Sequence, residues 1–413
     1  MIHDPRQLSI QNFTYDLPDD RIASVPLERR SDSKLLIFKS ETISAGPFTD
    51  LKKHLPNNSM LVFNNTKVIL ARLLFTCSTG ARIECFCLEP EAGITPEISF
   101  RSQGSCRWWA MIGNAKKWKA DEVIENRFFM NGTEIVLSAK RIEVKGQESL
   151  VEFHWTPADF AFSEILEGTG ILPLPPYMNR EANSDELIRY NTVYAKHDGS
   201  VAAPTAGLHF TDEILAELQN NNVDLAYLTL HVGAGTFKPV KSDTMAEHEM
   251  HAERIIFSAD FIDRLIAQKK SGVVIPVGTT ATRSLESLYW WGVKILKGDA
   301  LGFDLFIDQW EPYQYDSSEL PTLEIALLAV KKRMEENNSS ELTGFTKIII
   351  APGYDFKVID ALITNFHQPQ STLLLLVSAL VGDQWRNIYK YAMDSEFRFL
   401  SYGDSSLLFP SRK

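Results

Sequence analysis

VVIPVGTTATRSLESLYWW, residues 273–291, is the stretch on which the reading of the fold turns. Its first five residues are apolar and mostly β-branched, the composition of a buried strand. Gly278 ends the run, and TTATRSLESLYWW then reads as a helix. A strand that passes through one glycine into a helix is half of a βαβ unit, so this part of the chain reads as α/β. The junction also carries chemistry. Thr279 and Thr280 stand at the helix start with Arg283 one turn further in, a set of donors suited to a carboxylate or a ribose. Simple N-capping accounts for at least one of the threonines.

The same alternation extends outward. LAYLTLHV (225–232) reads as a buried strand. DEILAELQNN (212–221), with Thr211 as its N-cap, reads as a helix, and so does SADFIDRLIAQKKSG (258–272), capped by Ser258 and stopped by Gly272. TKIIIAPG (346–353) and VIDALIT (358–364) read as strands, and STLLLLVSALVG (371–382) as a late helix. Between about 61 and 155 the pattern changes to short β-branched and aromatic runs divided by turns, among them RIECFCLE, RWWAMIG and LVEFHW. That is the text of a small barrel or sandwich. The expected fold is therefore α/β. A larger domain with a mixed sheet and flanking helices (1–59 and 156–413) is interrupted by a smaller all-β barrel domain (60–155). Residues 290–344 form an extra segment of less readable pattern.

The chain has 413 residues, 44% of them hydrophobic, enough for a large core. A formal net charge of −11 excludes a protein that coats polyanions generally, so nucleic-acid binding needs a local patch. The four cysteines fall between Cys77 and Cys106. Cys85 and Cys87 point the same way from one strand and are poorly placed to bridge, so they read as reduced thiols. The N-terminal residues have no apolar signal core, and the run LLLLVSALVG (373–382) is too short to span a bilayer. A soluble, cytoplasmic protein is the expectation.

Four further motifs carry polar groups in unusual company. SVAAPTAGLHFT (200–211) sets a proline, hydroxyls and His209 among alanines and glycine, which suits a surface that something approaches closely. HVGAGTF (231–237) places Gly233 and Gly235 after a strand, but lacks the third glycine and the helix start of a dinucleotide loop. HEMHAE (248–253) has histidines three apart, whereas a zincin needs them four apart on a helix, so no metal is expected. TNFHQPQST (364–372) reads as a polar loop carrying His367.

Taken together, these segments resemble one family, the S-adenosylmethionine:tRNA ribosyltransferase-isomerases of queuosine biosynthesis. The matching text includes YDLPDDRIASVPLERRSDSKLL, LPLPPYMNR, SVAAPTAGLHFT, TLHVGAGTFKPV, HEMHAE, VGTTATRSLES, PGYDFKVIDALITNFHQPQSTLLLLVSAL and RFLSYGDSSLL, in family order over nearly the whole chain. The resemblance implies a transferase and isomerase. It would move the ribosyl part of its co-substrate S-adenosylmethionine to the 7-aminomethyl group of a 7-deazaguanine in the tRNA anticodon. Adenine and methionine would leave, and epoxyqueuosine-tRNA would result. Such chemistry needs a base for the 5′ proton beside the sulfonium, a donor for departing adenine, a neutral amine and exclusion of water.

The resemblance makes His209, His231, His251 and His367 the candidate catalytic groups, each lying within a matching motif. Thr279, Thr280 and Arg283 become candidates for the methionine carboxylate, Gly233 and Gly235 for admitting the nucleoside, and Thr205 and Gly207 for a wall of the site. His209 draws particular interest because, in an extended segment, Leu208 and Phe210 would face the core and His209 the opposite side. The partner would be tRNA carrying 7-aminomethyl-7-deazaguanine, and the protein a monomer or weak dimer without membrane contact. Arg101, Arg107, Lys116, Lys117 and Lys119, interleaved with Trp108, Trp109 and Trp118, form one candidate RNA surface. Lys331, Lys332 and Arg333 read as a solvated helical face. An RNA methyltransferase and a non-catalytic RNA-binding protein are the competing classes.

Overall fold

The structure, a computed structural model, describes residues 4–233, 240 and 242–411. The chain divides into two compact units. One comprises residues 1–66, 189–197 and 204–413, and the other 67–188 and 198–203.

The first unit is built on two mixed sheets. The larger has six strands in the order Val273–Pro276, Ser59–Asn64, Asp224–His231, Glu253–Ser258, Glu341–Thr346 and Leu305–Ile307. The first three run parallel, and Glu253–Ser258 is antiparallel to both of its neighbours. All six residues of Ser59–Asn64 are buried, as a central parallel strand covered on both faces requires. The smaller sheet has the order Leu362–Asn365, Ser405–Leu408, Lys34–Lys39 and Thr42–Pro47. A single bridge from Val277 to Ile363 joins the two sheets.

Helix Thr279–Lys297 follows directly from the Val273–Pro276 strand, as the sequence predicts, and is buried without a break from Thr279 to Val293. A helix apolar on one side only would face solvent with the other. This one is covered by the sheet on one side and by helix Leu323–Glu336 on another. The close crossing is possible because Gly292 has no side chain: a Cβ there would lie 2.3 Å from the Ala326 carbonyl oxygen. The extra segment at 290–344 is thus integral to the unit, supplying Leu305–Ile307, most of Glu341–Thr346 and the covering helix. The sequence reading of TKIIIAPG as a strand differs from the structure, where the strand ends at Thr346 and residues 347–350 continue without ladder pairing.

The second unit contains a closed antiparallel barrel of Glu148–Thr156, Ser105–Gly113, Arg82–Pro90, Arg72–Thr76, Ile124–Met130 and Thr133–Lys145. Its interior takes alternate residues, including Ile83, Cys85, Cys87, Trp108, Ala110, Leu137, Phe153 and Trp155. All four cysteines are free, and burial pushes the Cys85 and Cys87 thiols up. The unit's limits differ from the expected 60–155. A fully buried parallel strand and a barrel strand both read as short apolar runs; Ser59–Asn64 pairs in the six-stranded sheet, and the unit continues past the barrel through helix Phe162–Thr169. Two of the three tryptophans expected to stack on RNA bases, Trp108 and Trp118, are core residues at 2% exposure each. Arg107 is engaged by Glu91 and Glu152, while Lys116, Lys117 and Lys119 are exposed.

The Gly292 contact yields a sharp expectation. Glycine to alanine in a helix interior ordinarily gains up to about 1 kcal/mol. Here the overpacking against a backbone carbonyl, on the order of 1–3 kcal/mol, outweighs that gain. Gly292→Ala lowers the thermal midpoint, and a raised midpoint in a calorimetric scan would refute the close crossing.

Candidate active site

Three parallel strands of the large sheet end on one side, and the bridge from Val277 to Ile363 aligns Leu362–Asn365 with them. Their carboxyl ends deliver Gly278, Asn64 to Thr66, His231 to Gly233, and Asn365 to His367. In open α/β sheets this is the side on which ligands bind. The turn at Gly278 needs its φ of +96°, which side chains rarely adopt. Gly278 donates its N–H to Ile363 (2.8 Å), and its carbonyl accepts from the Thr282 hydroxyl (3.1 Å). Gly278 is itself the N-cap residue, so neither Thr279 nor Thr280 caps the helix by its side chain. Both begin it as its first two residues and are buried.

Beside this junction, Asn64 Nδ2 donates to the Leu230 carbonyl (2.9 Å), and its Oδ1 accepts from Leu230 N (3.0 Å) and Thr66 N (3.2 Å). Thr66 Oγ1 then lies 2.9 Å from His231 Nδ1. His231 is buried at the end of its strand, held by a network that starts in the neighbouring strand. Gly233 follows it and lines a cleft with His248, His251, Glu253, Arg283 and Thr372; Ile348 to Ile350, Leu373 and Leu376 form an apolar wall. Gly235 lies outside the described residues.

Arg283 anchors this cleft. Its Nη1 is ion-paired with the Glu253 carboxylate, and its Nε donates to the Ile348 carbonyl (3.0 Å). Its Nη2 is buried and has no hydrogen-bond partner among the described residues. A guanidinium so held is an oriented donor for a planar anion. Helical periodicity puts Arg283 on the inner face of its helix, but no spacing pairs it with Glu253, thirty residues earlier on another strand. His251 is exposed at the rim. His248 is half-buried, and burial, with His251 nearby, holds its pKa below the ordinary value. Among the described residues no group of three or more His, Cys, Asp or Glu side chains is arranged to hold a metal ion.

His209 occupies a different environment. Residues Thr205–His209 form a 3₁₀ turn instead of an extended segment. With about three residues per turn, Leu208, His209 and Phe210 are all buried, so the expected alternation of faces does not hold. Gly207 likewise serves packing: a Cβ there would lie 1.9 Å from the Tyr194 hydroxyl, which fills the space a ligand was expected to enter. Thr205 is half-buried at the start of the turn, and Ala206 packs toward Gly278, the side chain lying 3.6 Å from where a Cβ would stand.

The tautomer of His209 follows from its partner. Asn365 Nδ2 donates to the carbonyls of Leu400 (2.9 Å) and Ser401 (3.2 Å), so its Oδ1 accepts from His209 Nε2–H at 3.1 Å. Burial pushes the His209 pKa down to about 4, the hydrogen bond to Asn365 opposing and the Arg398 and Arg30 charges assisting. His367 is half-buried, has Nε2 3.0 Å from Thr364 Oγ1, and is pushed by burial down to about 3. Both imidazoles are therefore neutral at physiological pH and poor proton acceptors there. His251 lines the Arg283 cleft, and His231 ends the strand that leads to Gly233, another of its lining residues.

A family model described as "Queuosine biosynthesis protein" matches residues 10–408. The chain belongs to this family. Similar proteins named S-adenosylmethionine:tRNA ribosyltransferase-isomerase include one from Clostridioides difficile, 36% identical over 97% of this chain and 100% of its own length. One from Legionella pneumophila (strain Lens) is 38% identical over 96% and 99%, and one from Ruegeria pomeroyi 38% identical over 98% and 100%. A crystal structure of an S-adenosylmethionine tRNA ribosyltransferase from Thermotoga maritima aligns over 96% of this chain and 99% of its own, with 24% identity and a TM-score of 0.44. No helix among the described residues of this family member is long and apolar enough to cross a membrane.

The environment of His209 has a pH signature. Its folded pKa of about 4 lies below the ordinary 6.5, so between these values the unfolded chain binds more protons and stability rises with pH. The contribution of neutral His209 is complete above about 6.5 and is lost as the pH falls toward 4. At pH 5 this amounts to at most about 2 kcal/mol. Urea unfolding at pH 7 and pH 5 shows wild type losing about 1–2 kcal/mol more than His209→Gln, which keeps a donor for Asn365. Equal losses would mean that His209 is not held neutral.

Proposed function

We propose that the protein transfers and isomerises the ribosyl moiety of S-adenosylmethionine onto the 7-aminomethyl group of 7-deazaguanine in the tRNA anticodon. The products are epoxyqueuosine-tRNA, adenine and methionine. The observation that carries this reading is agreement with relatives of that name along the full chain, at 36% and 38% identity.

The Arg283 cleft supports it chemically. S-adenosylmethionine offers a carboxylate, a sulfonium cation and a flat apolar purine. Arg283 Nη2 suits the carboxylate, the Glu253 carboxylate compensates nearby positive charge, and the aliphatic wall suits the base. Gly233 and Gly235 admit the nucleoside, and Thr279 and Thr280 bound it on the strand-end side. His251 or His231 takes the proton from C5′ beside the sulfonium. His209 and His367, kept neutral by burial, act as hydrogen-bonding groups that orient substrate.

Two measurements test the reading. Incubation of S-adenosylmethionine with tRNA carrying the aminomethyl base releases adenine and methionine in equal amounts by mass spectrometry. S-adenosylhomocysteine in their place would establish a methyltransferase, and no turnover a binding protein. Arg283→Lys keeps the charge beside Glu253 but loses the planar fork. It weakens S-adenosylmethionine binding about tenfold or more with little change in melting temperature, and undiminished affinity would remove Arg283 from the cofactor site.

A further inference from the structure

The segments ERRSDS, ELIRYN and RFLSYGD hold three arginines to which no role has yet been given. Arg30, Arg189 and Arg398 come from these three separate segments, and the first unit gathers them beside His209. Arg30 and Arg189 line a cavity with His209 and Tyr402. Arg398 stands behind Tyr402, donating to its carbonyl (2.8 Å) and to that of Val25 (2.8 Å). Arg30 Nη1 donates to the Asn191 carbonyl (2.6 Å), and Arg189 Nη2 donates to the Leu27 carbonyl. These main-chain bonds help to fix where the guanidiniums lie, and the Asp404 carboxylate, which accepts from Arg398 N (2.8 Å), stands beside the third.

Arg30 and Arg189 are close enough to repel each other, and that repulsion adds to burial in holding the Arg30 pKa down. Like charges brought together around one cavity are relieved by an anion placed between them. On a chain of net charge −11, such a site is a local place to receive a polyanion. The cavity shares no lining residue with the Arg283 cleft, which already offers a donor for the carboxylate of the sulfonium substrate.

We propose that Arg30 and Arg189, backed by Arg398, form a phosphodiester-binding site that fixes the backbone of the RNA substrate beside the strand ends. This rests on the proposed function for the identity of the RNA. The phosphate is held by guanidinium forks, with Tyr402 and neutral His209 forming the floor. No covalent step is involved.

The test uses the full-length protein and fluorescent tRNA carrying the aminomethyl base. Binding is measured by anisotropy across a salt series and S-adenosylmethionine binding by calorimetry. Arg189→Gln raises the tRNA Kd about tenfold and flattens the slope of log K against log salt by roughly 0.7–0.9, one phosphate contact. Affinity for S-adenosylmethionine stays at the wild-type value. Arg189→Lys, which keeps the charge without the fork, restores the slope and recovers only part of the affinity. Unchanged tRNA affinity and slope in both variants would overturn the proposal. So would loss of S-adenosylmethionine binding with RNA binding intact, which would assign the arginines to a carboxylate. Should Arg189→Gln fail to fold, Arg189→Lys decides alone: wild-type tRNA affinity overturns the site, and weakened affinity with a wild-type slope supports it. Binding is read without turnover, so tRNA held through these arginines by a protein that releases no adenine would defeat the proposed function while leaving this site standing.

Discussion

The turn at Gly278 is the constraint on which the first unit depends. It takes a buried strand into a buried helix within one residue, and its N–H reaches the neighbouring sheet at Ile363. Any side chain there would have to adopt φ near +96°, at a cost of roughly 1–2 kcal/mol. The conformation does more than save space. It ties the two sheets at the point where their strands end, and so brings the turn Thr205–His209, the network from Asn64 to His231 and the start of the helix to one side.

The helix that leaves this turn is held at a second point by a buried carboxylate. Glu286 accepts hydrogen bonds from the main-chain N–H groups of Lys357 (2.9 Å), Val358 (3.0 Å) and Ile359 (3.3 Å) and from the Tyr354 hydroxyl (2.8 Å). Burial raises its pKa, and the four donors oppose that rise. One side chain thereby shapes the loop entering the strand Leu362–Asn365. Arg283, one turn earlier on the same helix, is oriented by Glu253 and Ile348. The helix therefore carries charges of both signs inward, each satisfied by a different part of the chain.

Local signals made the strand and helix text around 212–291 readable. The Thr211 and Ser258 hydroxyls cap their helices as their positions suggest, at 3.4 Å and 3.1 Å. Failures came where an apolar run has two meanings. Ser59–Asn64 carries the same letters whether it lies in a barrel or between two parallel strands, and only its partners decide. In the site, residue type pointed to Arg283 and to the histidines, because charge within apolar text is conspicuous. Glu253, Asn64 and Asn365 were not singled out, since each works through a partner far along the chain. The signal was present for Asn64, a polar residue inside a buried strand, which must find hydrogen bonds. Gly207 shows the opposite error: a glycine read as room for a ligand is room for Tyr194.

The placement of residues 290–344 has a consequence for how the chain can be shortened. Excising them would leave Glu253–Ser258 at the margin of the large sheet, since both strands beyond it arise from or end at that segment. An uncovered row of main-chain donors and acceptors invites pairing with other chains. The same cut would remove the last turns of the long helix from Trp290 onward together with the helix that packs on it, and leave Glu253, the partner of Arg283, on an open edge. What looks in the sequence like an unreadable addition is a seal, and a trimmed enzyme would need a substitute margin before it needed anything at its catalytic centre.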